Sequence, residues 1–87
     1  MATRQSVDAL MQQCENALKY ASEQYEESSL QEQYNNDNYT QALQQLEGAY
    51  NDLAQLAQSA NSQQREQLHR MRLQLQQAQN QMILLDH

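Results

Sequence analysis

Ser59-Ala60-Asn61-Ser62-Gln63-Gln64 is the point at which the apolar pattern of this chain loses step by one residue. Upstream, Tyr39, Leu43, Leu46, Tyr50, Leu53, Ala57 and Ala60 recur at alternating spacings of four and three. That stepping holds one seam of a helix toward a partner, as in a coiled coil. Downstream, Leu68, Met71, Leu75, Ala78, Met82 and Leu85 resume the same rhythm. Asn61 and Gln64 have the spacing of a capping box, in which each side chain satisfies the other residue's free backbone N–H. This predicts a short turn and a new helix. No Gly or Pro enforces a stop, so the competing reading is one long helix that absorbs the slip as a stutter. The break predicts an all-α, antiparallel three-helix bundle. Continuity predicts a long helical hairpin whose overhanging arm dimerises.

The remaining helices follow from the same periodicity. Val7, Met11, Cys14, Leu18, Ala21 and Tyr25 form a first seam, widened by Leu10 and Ala17. Thr3 or Ser6 is the expected cap, with Asp8 near the positive end of the helix dipole. The seam fades at Glu26-Glu27-Ser28-Ser29, and Tyr34-Asn35-Asn36-Asp37-Asn38 reads as a turn, because Asn and Asp side chains bond to nearby backbone. Asn38 with Gln41 is the expected start of the second helix, which Ala42, Ala49 and Leu56 thicken. Gly48 lies in its middle, to admit a close neighbour or through drift. The expected organisation is a single domain over 1–87, with helices at approximately 4–32, 38–60 and 62–85. These would run roughly 42, 33 and 36 Å at about 1.5 Å per residue.

Composition narrows the functions more than it identifies one. Nineteen of the 87 residues are glutamine, 39% are hydrophobic and 18% are charged; there is one Gly and no Pro, Trp or Phe. The net charge of −6 argues against binding nucleic acid or an anionic membrane surface. No apolar run approaches the length needed to span a bilayer, roughly 20 residues, and Met1-Ala2-Thr3-Arg4-Gln5 lacks the apolar core of a secretory signal. The expected location is the cytoplasm. Charge is also uneven: residues 1–60 hold two basic and nine acidic groups, while residues 61–87 hold Arg65, Arg70 and Arg72 against Glu66 and Asp86.

Candidate sites are few. Arg65, His69 and Arg72 share one helical face. They form either an anion or acidic-partner site, or a flank that orients packing against the acidic first helix. His69 has no second ligand at metal-binding spacing, and terminal His87 offers none, so both read as solvated imidazoles and no metal or cofactor is expected. Cys14 lies on a seam with Glu15 and Leu18 within one turn, and reads as a buried apolar group rather than a nucleophile. No catalytic set is present, and a chain this small and helical is not expected to enclose a ligand pocket of several hundred Å³. Tyr20, Tyr25, Tyr34, Tyr39 and Tyr50 read as amphipathic covers of the bundle or as an aromatic patch. Met82-Ile83-Leu84-Leu85 exceeds what one face can bury and is the candidate for self-association or partner docking.

Met1-Ala2-Thr3-Arg4-Gln5-Ser6-Val7-Asp8, the stretch Asn16-Ala17-Leu18-Lys19-Tyr20-Ala21-Ser22-Glu23-Gln24-Tyr25-Glu26-Glu27-Ser28, and Gln64-Arg65-Glu66-Gln67-Leu68-His69-Arg70-Met71-Arg72-Leu73 resemble the YtzC-like proteins. These are small proteins of unknown function from Bacillus-type bacteria. The resemblance covers essentially the whole chain and implies a cytosolic bacterial origin, with no catalytic or binding residue to carry over. The expected role is a non-catalytic protein-interaction or adaptor module that pairs with itself as a homodimer or with another protein. The alternatives are a purely structural homo-oligomer and a small charge-dependent regulator.

Overall fold

The computed structural model describes residues 3–30 and 36–85, with the side chains of 3–26 and 38–84. Three helices follow in order: α1 (Arg4–Leu30), α2 (Asn36–Ala57) and α3 (Ser62–Leu85). Each packs against both of the others, giving an antiparallel bundle with extents of 47 × 19 × 15 Å. The break at 58–61 is real, and the hairpin alternative does not hold. No described helix is long and apolar enough to cross a membrane.

Local chemistry accounts for the helix starts. The Thr3 hydroxyl accepts the Ser6 N–H at 3.0 Å, so Thr3 caps α1. At α3, Asn61 N–H donates to the Gln64 amide oxygen at 3.0 Å, and Gln64 N–H donates to the Asn61 amide oxygen at 2.9 Å. This is the reciprocal box that the spacing predicts, and it satisfies two donors that a helix start leaves free.

The second helix departs from expectation at both ends. It begins at Asn36 rather than Asn38, so Asn38 lies inside the first turn and is not its cap. Asn and Asp are tolerated there because the first-turn N–H groups have no intrahelical partner to lose. The rest of the expected turn, Tyr34 and Asn35, and the expected end of the first helix at 32 lie outside the described residues.

At its far end α2 closes at Ala57 instead of 60. Gln58, Ser59 and Ala60 N–H donate three residues back, to Gln55, Leu56 and Ala57 carbonyls, at 3.2, 3.1 and 3.3 Å. This tighter winding ends the helix without a left-handed residue: none of the described residues has positive φ.

On α1 and α2 the buried arc is rotated relative to the seam, whereas on α3 the buried residues lie on it. On α1 the buried apolar residues are Val7, Leu10, Cys14, Ala17 and Ala21, with Gln24 also buried; on α2 they are Tyr39, Ala42, Leu46, Ala49 and Leu53. Met11, Leu18 and Tyr25 on α1, and Leu43, Tyr50, Leu56 and Ala57 on α2, are half-buried at the flanks. A seam describes contact with one partner, whereas each helix here faces two. On α1 and α2 the centre of the arc falls between adjacent seams, and alanines lie within it because a small side chain lets the backbones approach. On α3, Leu68, Met71, Leu75 and Met82 point inward, and Ala60 closes the α2–α3 end.

Gly48 is not such a point of approach: a Cβ built there meets nothing within 4 Å. Gly48→Ala should therefore raise the unfolding free energy by about 0.5–1 kcal/mol through helix propensity alone, measurable by urea denaturation. The opposite sign is expected at Tyr39. Its buried hydroxyl donates to the Met82 carbonyl near the described end of α3. Tyr39→Phe keeps the ring but removes this buried hydrogen bond, and should cost about 1 kcal/mol in the same assay.

Candidate functional site

The α2–α3 face gathers the charged residues that the sequence singles out. Arg65, His69 and Arg72 line one open concavity of about 370 Å³ together with Leu53, Ala54, Ala57, Gln58 and Leu68. The space is an open surface groove rather than an enclosed pocket. The groove forms because α2 contributes only Ala54 and Ala57 toward the opening, while long α3 side chains wall the other side.

The two arginines are held by α2. Arg65 Nε donates to the Ala57 carbonyl at 3.1 Å, placing a cation at the negative end of α2. Arg72 Nε donates to the Tyr50 hydroxyl at 2.9 Å, and its guanidinium carbon lies 5.3 Å from the centre of the Tyr50 ring, a cation–π geometry. The sequence reading paired this face with the acidic first helix; the partners that orient Arg65 and Arg72 are instead on α2. Arg70 points elsewhere, to Glu66 at 2.8 Å, with both side chains exposed, a pair that adds little stability.

The C-terminal apolar run divides as its length requires. Ile83 and Leu84 are 59% and 74% exposed, but Met82 is only 1% exposed. Met82 is thus withdrawn from the candidate docking residues: it continues the buried line of Leu68, Met71 and Leu75, and its backbone receives Tyr39. The side chain of Leu85 and all of His87 lie outside the described residues. Leu73, at 51% exposed, joins Ile83 and Leu84 as an apolar group on the outside of α3. All three lie off the α3 seam of Leu68, Met71, Leu75, Ala78, Met82 and Leu85, and the run from Leu73 to Leu85 carries no charged side chain.

Of the tyrosines, Tyr39 is buried while Tyr20, Tyr25 and Tyr50 are half-buried against the core; Tyr34 lies outside the described residues. Among the described residues, no group of three or more His, Cys, Asp or Glu side chains is placed to hold a metal ion.

Residues 1–84 match the family described as "Protein of unknown function (DUF2524)". The chain belongs to that family. It is 60% identical over 84 residues to the uncharacterized protein YtzC of Bacillus subtilis (strain 168), covering 97% of this chain and 93% of that protein. The resemblance read from the residues is therefore correct. No solved structure matches the chain.

Cys14 is fully buried, and its thiol is pushed up from 9.0 to about 11, first by burial and then by the charges of Asp52 and Glu15. It is a neutral core group near pH 7, where a nucleophile would need a depressed value. The shift has a stability consequence. Above pH 9 the thiol of the unfolded chain ionises while that of the folded chain does not, so the contribution is intact below about 9 and is lost as pH rises through about 11. Replacing Cys14 by Ala should flatten the alkaline fall in unfolding free energy between pH 9 and 11 relative to wild type, measured by denaturant titration at each pH.

Proposed function

We propose that this protein is a small, non-catalytic, cytoplasmic interaction module that contacts a protein partner through the outer face of α3. The observation that carries this reading is the placement of the exposed large apolar side chains, Leu73, Ile83 and Leu84, on that one helix. Leu73 and Leu84 are eleven residues apart, about three helical turns, and so share a face. Docking this half of α3 takes no ion out of water, because the run from Leu73 to Leu85 is uncharged. Desolvation then falls on neutral amides, which a partner can hydrogen-bond, and it costs far less than burying charge.

The groups with chemical potential elsewhere support a non-catalytic role. Cys14 serves as core, and the Nε atoms of Arg65 and Arg72 brace α3 against α2. A lone thiol kept in the core suits a reducing compartment. A second copy of the chain meets the same apolar surface and gives the homo-oligomeric form of the proposal.

The test pairs affinity capture from native lysate with sedimentation of the purified protein, using wild type and an Ile83→Gln/Leu84→Gln double variant. Wild type should retain a partner, or sediment as an oligomer, and the variant should lose this while its thermal unfolding midpoint stays close to wild type. Equal behaviour of the two proteins, or a wild-type monomer that holds nothing, overturns the proposal.

A further inference from the structure

We infer that the α2–α3 concavity is a binding site for a small monocarboxylate carrying a short apolar chain. This site is separate from the apolar outer face of α3. Its floor is apolar, with Leu53 and Leu68 at 1% and 2% exposure and Ala57 beside them, and its wall is Arg65, His69 and Arg72. The guanidinium groups are oriented before any ligand arrives. Each uses Nε to hold α2, at Ala57 and at Tyr50, which leaves the terminal nitrogens as donors. Such a fork matches the two oxygens of a carboxylate. Because the anchoring bonds fix the side chains, less rotamer freedom is lost on binding than at an ordinary surface arginine.

The same geometry selects among anions. Phosphate sites draw on backbone N–H groups at a helix N-terminus or in a nest. Here the helix end beside the cavity is the C-terminus of α2 at Ala57, whose partial negative charge disfavours a doubly charged anion more than a singly charged one. A volume of about 370 Å³ lies at the lower end of small-molecule pockets, roughly 300–1,000 Å³, and accommodates a short alkyl chain over the Leu53–Leu68 floor. An alcohol of the same length fills the floor without using the guanidinium groups, and acetate does the reverse.

The probe is sodium hexanoate, titrated into the uniformly 15N-labelled full chain and followed by amide chemical shifts. Acetate, 1-hexanol and inorganic phosphate are compared at matched ionic strength. Hexanoate should produce saturable shifts centred on Ala57, Leu68, His69 and Arg72, and should bind more tightly than each of the other three. Loss of one charge-assisted contact in Arg72→Gln should weaken hexanoate about tenfold. Ala54→Phe, at an exposed position on the cavity edge, should block it while both arginines remain. If Arg72→Gln fails to fold, Ala54→Phe decides alone. Shifts that never saturate, hexanoate no tighter than 1-hexanol, tighter binding of phosphate, or unchanged binding to folded Ala54→Phe would each overturn the assignment.

Discussion

The turn between α2 and α3 determines the bundle, and the two hydrogen bonds exchanged by Asn61 and Gln64 give that turn its place. They are not enough to force it. A helix cap contributes about 1 kcal/mol, while interrupting a helix exposes backbone groups at two new ends. The larger drive is burial of Leu68, Met71, Leu75 and Met82 against α1 and α2. At roughly 1.5–3 kcal/mol for each side chain, as an upper estimate before ordering entropy, this term exceeds the cap severalfold. The hairpin would leave that apolar line in water unless a partner covered it. Capping therefore sets where the chain turns, and burial decides that it turns.

The glutamine load takes its meaning from this arrangement. Glutamine favours helix nearly as well as lysine or glutamate, so the outward positions sustain three helices with only 18% of residues charged. The few charged side chains that cross between helices then acquire definite tasks. Arg65 and Arg72 bind a carbonyl and a phenol on α2 rather than joining a diffuse surface network. The interior follows a similar division, with alanines at the centre of the α1 and α2 arcs and bulkier Met11, Leu18, Leu43 and Tyr50 at their edges.

The periodic part of this structure was legible in the chain. Seams, the Thr3 cap and the Asn61–Gln64 box all depend on residues within four positions of one another, and local spacing records such relations. Tertiary choices were less so. On α1 and α2 a seam read against one partner left the rotation of the helix open, whereas the α3 seam already included Met82 and left out Ile83 and Leu84. The attachments of Arg65 to Ala57 and of Arg72 to Tyr50 span eight and 22 residues, and no short spacing announces them. The start of α2 was misplaced because Asn and Asp mark both turns and first helical turns. At the candidate site, the sequence placed Arg65, His69 and Arg72 together on one face, but not the cavity, whose other wall comes from α2.

Helix termination joins these observations. Many helices end on a glycine in the left-handed region, which satisfies the last carbonyls locally. Here the single glycine, Gly48, is spent mid-helix, and no described residue has positive φ. The last carbonyls of α2 are met by the tightened turn and by Arg65 reaching back from α3. At the opposite end of the bundle, the Met82 carbonyl of α3 is met by Tyr39 from the start of α2. Donors from a neighbouring helix thus reach carbonyls near two helix ends. Fraying either one requires losing a tertiary contact as well as a helical turn, which couples local to global unfolding in a chain too small for a large core. These contacts tie α2 to α3, so Arg65 at the end of α2 and Arg72 at Tyr50 also hold a wall for the cavity beside them.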